Sequence, residues 1–150
     1  MAHLVSITVK PANAPRDAAR FTRISTPRAE LVADHGIAGD AKASPGRQLN
    51  VMLAETVALL AAEGFRAGPG ELGEQLVIAG APDAAPGQRL RLGPAAVIEL
   101  EEPREPCGRF ARVQGRARET AIGRIGFMAR VVVSGAITVG CEVSSVPAQS

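Results

Sequence analysis

Short apolar and alternating runs separated by Gly and Pro make the chain look strand-rich. LVSITV (4–9) is β-branched and opens the fold as a strand. In QRLRLG (88–93), Leu90 and Leu92 face one way while Arg89 and Arg91 face the other. EQLVIAG (74–80) and AAVIELEE (95–102) read as further short strands. RQLNVML (47–53) alternates and then runs into AETVALLAAEG, whose Leu and Val fall at helical spacing with Gly64 as the stop. ARVVVSGAITVGCEV (129–143) reads as two strands joined through Ser134-Gly135, with Cys141 inside the second. Segments 12–27, 64–71 and 80–87 are loops rich in Pro, Gly and Ala, and residues 146–150 are expected to fray. Many short strands with little helix predict a mainly β protein, a closed or nearly closed β-barrel with a few short helices.

The 150 residues suit one domain, 1–150, with no internal repeat or long linker. A hydrophobic share of 46% allows a sizeable core, and the net charge of +2 is too small for a dedicated polyanion binder. With four Phe and no Tyr or Trp, the chain lacks the stacking surfaces that single-stranded nucleic acid needs. No nucleic-acid partner is expected. The start MAHLVSITVKP is not a signal peptide, and apolar stretches such as VALLAA (57–62) are far too short to span a membrane. Two cysteines make no disulfide framework, so a reducing cytoplasm is the expected compartment.

The candidate chemistry begins at PREPCGRF (103–110), where prolines and arginines surround Cys107. Pro106 keeps Glu105 out of helical geometry, and Gly108 to Arg112 can begin a helical turn that places the sulfur near free N–H groups. Arg104, Arg109 and Arg112 add positive charge, which favours the thiolate, the form that attacks sulfur or binds a soft metal. The competing reading is a bystander thiol. RARETAIGR adds Arg116, Arg118 and Arg124, either a solvated loop or a site for an anion. GIAGDAKA (36–43) is either an ordinary corner or a loop whose backbone approaches a ligand, with Asp40 and Lys42 following its glycines. Arg47 adds a further candidate anion contact. GELGEQL (70–76) sets Glu71 and Glu74 beside an apolar strand. His3 reads as structural, and the lone His35 makes a poor metal ligand. Cys141 reads as buried packing.

Taken in order, GIAGDAKA, GRQL, GELGEQL, PREPCGRF and GRIGFMARVVVSGAITVGCEV resemble the MOSC family, named for the C-terminal domain of molybdenum-cofactor sulfurases. The resemblance runs from about residue 5 to residue 144. It implies a barrel of the pyruvate-kinase type and makes Cys107 the family's characteristic cysteine, which carries sulfur as a persulfide or ligates molybdenum. By the same resemblance, Arg47, Lys42, Arg104 and Arg109 would neutralise the phosphate and dithiolene of the molybdenum cofactor (molybdopterin). Asp40 and Glu74 would orient loops or contact the pterin. Larger relatives fuse this domain to a pyridoxal-phosphate-dependent desulfurase, for which this chain has no room. A separate sulfur donor, such as a cysteine desulfurase, or an electron-transfer protein is therefore the expected partner. Small bacterial members resemble reductases of N-hydroxylated bases; a non-catalytic carrier of sulfur or cofactor is the alternative. Three positions depart from the family pattern: Lys42 replaces a histidine, Gln75 an asparagine, and Cys141 the aspartate of a terminal Gly-Asp.

Overall fold

A computed structural model describes residues 1–14, 20–43, 46 and 48–147. Eight strands form one mixed sheet: β1 (His3–Val9), β2 (Ile24–Ser25), β5 (Leu49–Leu53), β6 (Leu76–Ala79), β7 (Arg89–Leu92), β8 (Ala96–Pro103), β9 (Phe127–Val133) and β11 (Val143–Val146). Their order is β11-β7-β8-β9-β5-β6-β1-β2, and β5–β6 is the parallel pair. A smaller sheet has the order β10-β3-β4, from β10 (Gly135–Thr138), β3 (Arg28–Val32) and β4 (Gly36–Ile37).

The parallel pair needs a long crossover. Helix α1 (Ala54–Ala62) supplies it, followed by the glycine-rich stretch that leads to β6. Gly64 ends the helix at φ +93, with its N–H donating to Ala61 and that of Phe65 to Leu60, as a left-handed C-terminal stop requires.

The alternation seen in β7 holds: Leu90 and Leu92 are buried, while Arg89 turns outward to Glu99 at 3.0 Å. The main core joins both sheets through residues such as Leu4, Leu31, Leu49, Ile78, Ile98 and Ile137. A second cluster of Met52, Leu60, Phe65, Leu72, Phe110 and Ile125 packs α1 against helix α2 (Gly108–Gln114).

The mainly β expectation holds; among the described residues the strand ladders run from β11 to β2, and no ladder joins these two ends into a closed barrel. Among the described residues, the start of β1 meets the segment leading into β11 through a short contact, which includes Val143 N–H donating to Ala2 O at 2.9 Å. His3 bridges Glu142, Leu4 N–H donates to Cys141 O at 3.0 Å, and Gly140 N–H donates to Leu4 O at 2.7 Å. Cys141 sits in the turn before β11, not inside a strand, because Val139 and Gly140 turn the chain there. The strands flanking Ser134 part company: β9 stays in the main sheet and β10 pairs with β3. Within the loop assigned to 12–27, Ile24–Ser25 pairs with the end of β1. Val146 belongs to β11, and residues 148–150 lie outside the described ones.

Candidate functional site

Strand β8 ends at Pro103, and the next residues turn across the open end of the sheet. Arg104 N–H is fixed to Gly126 O at 2.9 Å. Cys107 is extended (φ −104, ψ 174) and stands immediately before α2, with its carbonyl accepting Ala111 N–H at 3.1 Å. Its exposed thiol opens on a cleft of about 440 Å³ lined also by Arg23, Lys42, Gln75, Arg104 and Arg109.

Partial burial opposes the Cys107 anion. The N–H groups of Phe110 and Arg109, with the nearby Arg104 charge, outweigh it and hold the thiol below its ordinary pKa. Backbone donors thus do more than the expected trio of arginines. Arg112 is exposed on α2, and Arg109 turns its guanidinium to Arg20 O at 3.1 Å and over the Phe21 ring at 5.3 Å.

Arg104 is 9% exposed and lies under the cleft, donating to Leu72 O at 2.7 Å with its guanidinium 5.9 Å from the Phe110 ring. Burial pushes it down to about 10, against the opposing pull of Glu74 and Cys107, so it remains a cation at neutral pH. Glu74, 2% exposed, accepts from Gly70 N–H at 2.8 Å and Leu72 N–H at 3.1 Å, and so folds its own loop. Burial raises its carboxyl above the usual range despite those bonds and the Arg104 charge.

Asp40 is 4% exposed and pins the opposite wall. It accepts from the N–H groups of Lys10 at 3.0 Å and Lys42 at 3.2 Å, and from Gln75 Nε2 at 3.2 Å. Gln75 in turn accepts Asn50 N–H at 2.8 Å, which ties the glycine loop to β5. Asp40 and Glu74 therefore act as loop organisers beneath the cleft, while Lys42 lines it.

The structure brings Cys107, Lys42, Arg104 and Arg109 to one cleft, with Asp40 and Glu74 buried under it. Arg47 lies outside the described residues. Of the basic stretch, Arg118 donates to Pro106 O at 3.3 Å, next to Cys107, while the other two cations turn away from the site. Arg116 covers Phe65 at 4.3 Å and donates to Glu63 O, and Arg124 pairs with the Glu63 carboxylate. These cations finish the end of α1. Among the described residues, no group of His, Cys, Asp and Glu could hold a metal ion by itself, and both cysteines are free. No helix among those residues is long and apolar enough to cross a membrane. Sequence reasoning missed Phe21 and Arg23, which line the cleft from a Pro- and Ala-rich loop with no periodic signal.

A family model for the MOSC domain matches residues 38–144. In structure the chain is similar to the YuaD protein from Bacillus subtilis, with a TM-score of 0.73 and 18% identity over 95% of this chain and 94% of that one. It is similar also to YiiM from Escherichia coli, with a TM-score of 0.72 and 19% identity over 99% of this chain and 71% of the other. YiiM from Geobacillus stearothermophilus gives a TM-score of 0.72 and 20% identity, covering 98% and 76%. No curated protein matches the chain in sequence.

Proposed function

Because this chain belongs to the MOSC-domain family, we propose that its cleft holds the molybdenum cofactor with Cys107 as the sulfur ligand. One observation carries this reading: an exposed thiol with a depressed pKa shares a cleft with Arg23, Lys42, Arg104 and Arg109. A soft thiolate suits molybdenum, and the cations suit a ligand bearing phosphate and dithiolene charge. The fit is supported by two Arg23 nitrogens that are buried without a hydrogen-bond partner among the described residues. In a low-dielectric setting such donors favour an anion.

Cys107 would be the ligand, Lys42 and Arg109 would face the anionic parts, and Arg104 would hold the thiol ionised from below. When bound, the cofactor would supply a two-electron redox centre for converting an N–OH group to N–H and water. The electrons would come from a separate electron-transfer protein. A reducing cytoplasm would keep both thiols free. The bonds linking residues 2–4 with 140–143 support reading the open sheet as a barrel joined along a short seam.

The exposure of Cys107 favours a second reading, a sulfur carrier. Its thiolate would attack the outer sulfur of a donor persulfide, the donor's S–S bond would break, and the donor thiolate would leave. A desulfurase is the donor of the right chemistry. Metal and pterin analysis of gently purified protein, followed by an assay with an N-hydroxylated base, separates the two. Molybdenum with turnover supports the first reading, and an added sulfur without molybdenum supports the second. Neither load on fresh protein would contradict both.

A further inference from the structure

Between Cys107 and Arg124 the chain carries five arginines and one acid, Glu119, in a protein whose net charge is only +2. Three of the five are engaged elsewhere. Arg109 turns to Arg20 O, and Arg116 and Arg124 finish the end of α1. Arg112 and Arg118 remain, both exposed, and neither lines the cleft. Among the described residues, no carboxylate forms an ion pair with either.

These two cations bracket the thiol. Arg118 donates to the carbonyl of Pro106, the residue before Cys107. Arg112 folds back along α2, so that a methyl group on Gly108, the residue after Cys107, would meet its Nη1 at 3.5 Å. Phe110, Val113 and Gln114 take the buried side of α2, which leaves Gly108 and Arg112 exposed beside Cys107. The sulfur therefore stands at an edge, with its cleft on one side and an unneutralised cationic surface on the other. Ile122, 47% exposed, follows the turn Arg118–Ala121 and offers an apolar contact.

Cations outside the cleft serve a partner that reaches the thiol without entering it. Single-stranded nucleic acid would need aromatic stacking surfaces that this segment lacks. A protein surface bearing carboxylates fits, because complementary charge steers encounter and fixes register, and redox encounters need only a small interface.

We propose that Arg112 and Arg118 form the docking surface for an acidic electron-transfer protein, whose redox group is thereby brought against Cys107. Two electrons from the reduced partner and two protons from water convert N–OH to N–H and water, and the partner leaves oxidised. The electron-transfer role rests on the molybdenum reading proposed above. The acidic docking face does not.

The test measures calorimetric binding of the whole purified protein to an acidic flavodoxin and to an acidic ferredoxin, at low and at physiological salt. Wild-type protein should bind at least one of them, and more weakly as salt screens the exposed charges. Arg112→Glu combined with Arg118→Glu should weaken binding about tenfold or more and slow association. Arg91→Glu, on the exposed face of β7, should not change it. Arg112 makes no hydrogen bond among the described residues, so Arg112→Glu alone carries the test if loss of the Arg118 bond disturbs folding. Molybdenum and sulfur content should match the wild type in every variant. Failure of both carriers to bind, binding indifferent to salt, or full binding by the variants would overturn the proposal. Tighter binding of a single-stranded oligonucleotide or of anionic lipid vesicles than of either carrier would overturn it too. Protein empty of molybdenum that still docks a carrier through these arginines would keep the surface and count against the molybdenum reading.

Discussion

Gly73 lies against the Arg104 guanidinium: a methyl group on it would meet Arg104 Nη2 at 2.5 Å and the Phe21 ring at 3.3 Å. Its φ of +81 is also a conformation that side chains disfavour. The glycine loop is thus shaped so that a buried cation can reach from β8 to the underside of the cleft. Gly73→Ala is expected to cost about 1–3 kcal/mol through backbone strain alone. It should also displace Arg104 and slow alkylation of Cys107. Thermal melts and a thiol-reaction time course check the two effects separately.

The Cys107 thiol should ionise below the ordinary value of about 8.5. Alkylation rate against pH gives the midpoint, and Arg104→Gln should move it upward. A thiol depressed by folding stabilises the native state above its unfolded pKa, and that contribution is lost as pH falls through the folded value. A midpoint at or above the free-cysteine value would remove the activated thiol from the account.

Glu74 behaves in the opposite sense. Its folded pKa is raised, so the protonated form is favoured on folding. That contribution is fully present below the unfolded pKa of about 4.3 and is lost as pH rises through the folded value. Glu74→Gln is nevertheless expected to destabilise at neutral pH. An amide can accept from only one of the Gly70 and Leu72 N–H groups, and an orphaned buried donor costs about 1–3 kcal/mol. Denaturant melts at pH 7 would show the loss; an unchanged midpoint would deny Glu74 its part in folding the loop.

Asp40→Asn should free the wall that carries Lys42. An asparagine oxygen can keep the two backbone donors, but its NH2 then faces Gln75 Nε2, whose own oxygen is committed to Asn50. One buried hydrogen bond is lost, worth about 1 kcal/mol. Faster amide hydrogen exchange at Lys10 and Lys42 is the direct sign.

Alternation made β5 and β7 legible, because a strand with one buried face shows that face every second residue, while β1, β6 and β8 were legible as short β-branched or apolar runs. β3 was not, since RAELV carries three exposed positions and pairs with the distant β10. The loops holding Cys107 and Lys42 stood out by glycine, proline and charge. Arg23 did not, because its character comes from neighbours far along the chain: Asp40, Glu74 and Arg109. The same non-local pairing took Arg116 and Arg124 away from the site. Their partner corner, Glu63–Phe65, begins 53 residues before Arg116 and 61 before Arg124. Cys141 was read correctly as packing and wrongly as strand; it is half-buried against the main core from a turn.

The central claim is that Cys107 is the residue through which this protein holds its cargo. Intact-protein mass spectrometry with molybdenum and pterin analysis should compare gently purified wild type, Cys107→Ala and Cys141→Ala. The account predicts that Cys107→Ala melts with the wild type yet carries neither added sulfur nor molybdenum. Cys141→Ala should lose about 1 kcal/mol of stability and keep its load. A fully loaded Cys107→Ala protein beside an empty Cys141→Ala protein would contradict it.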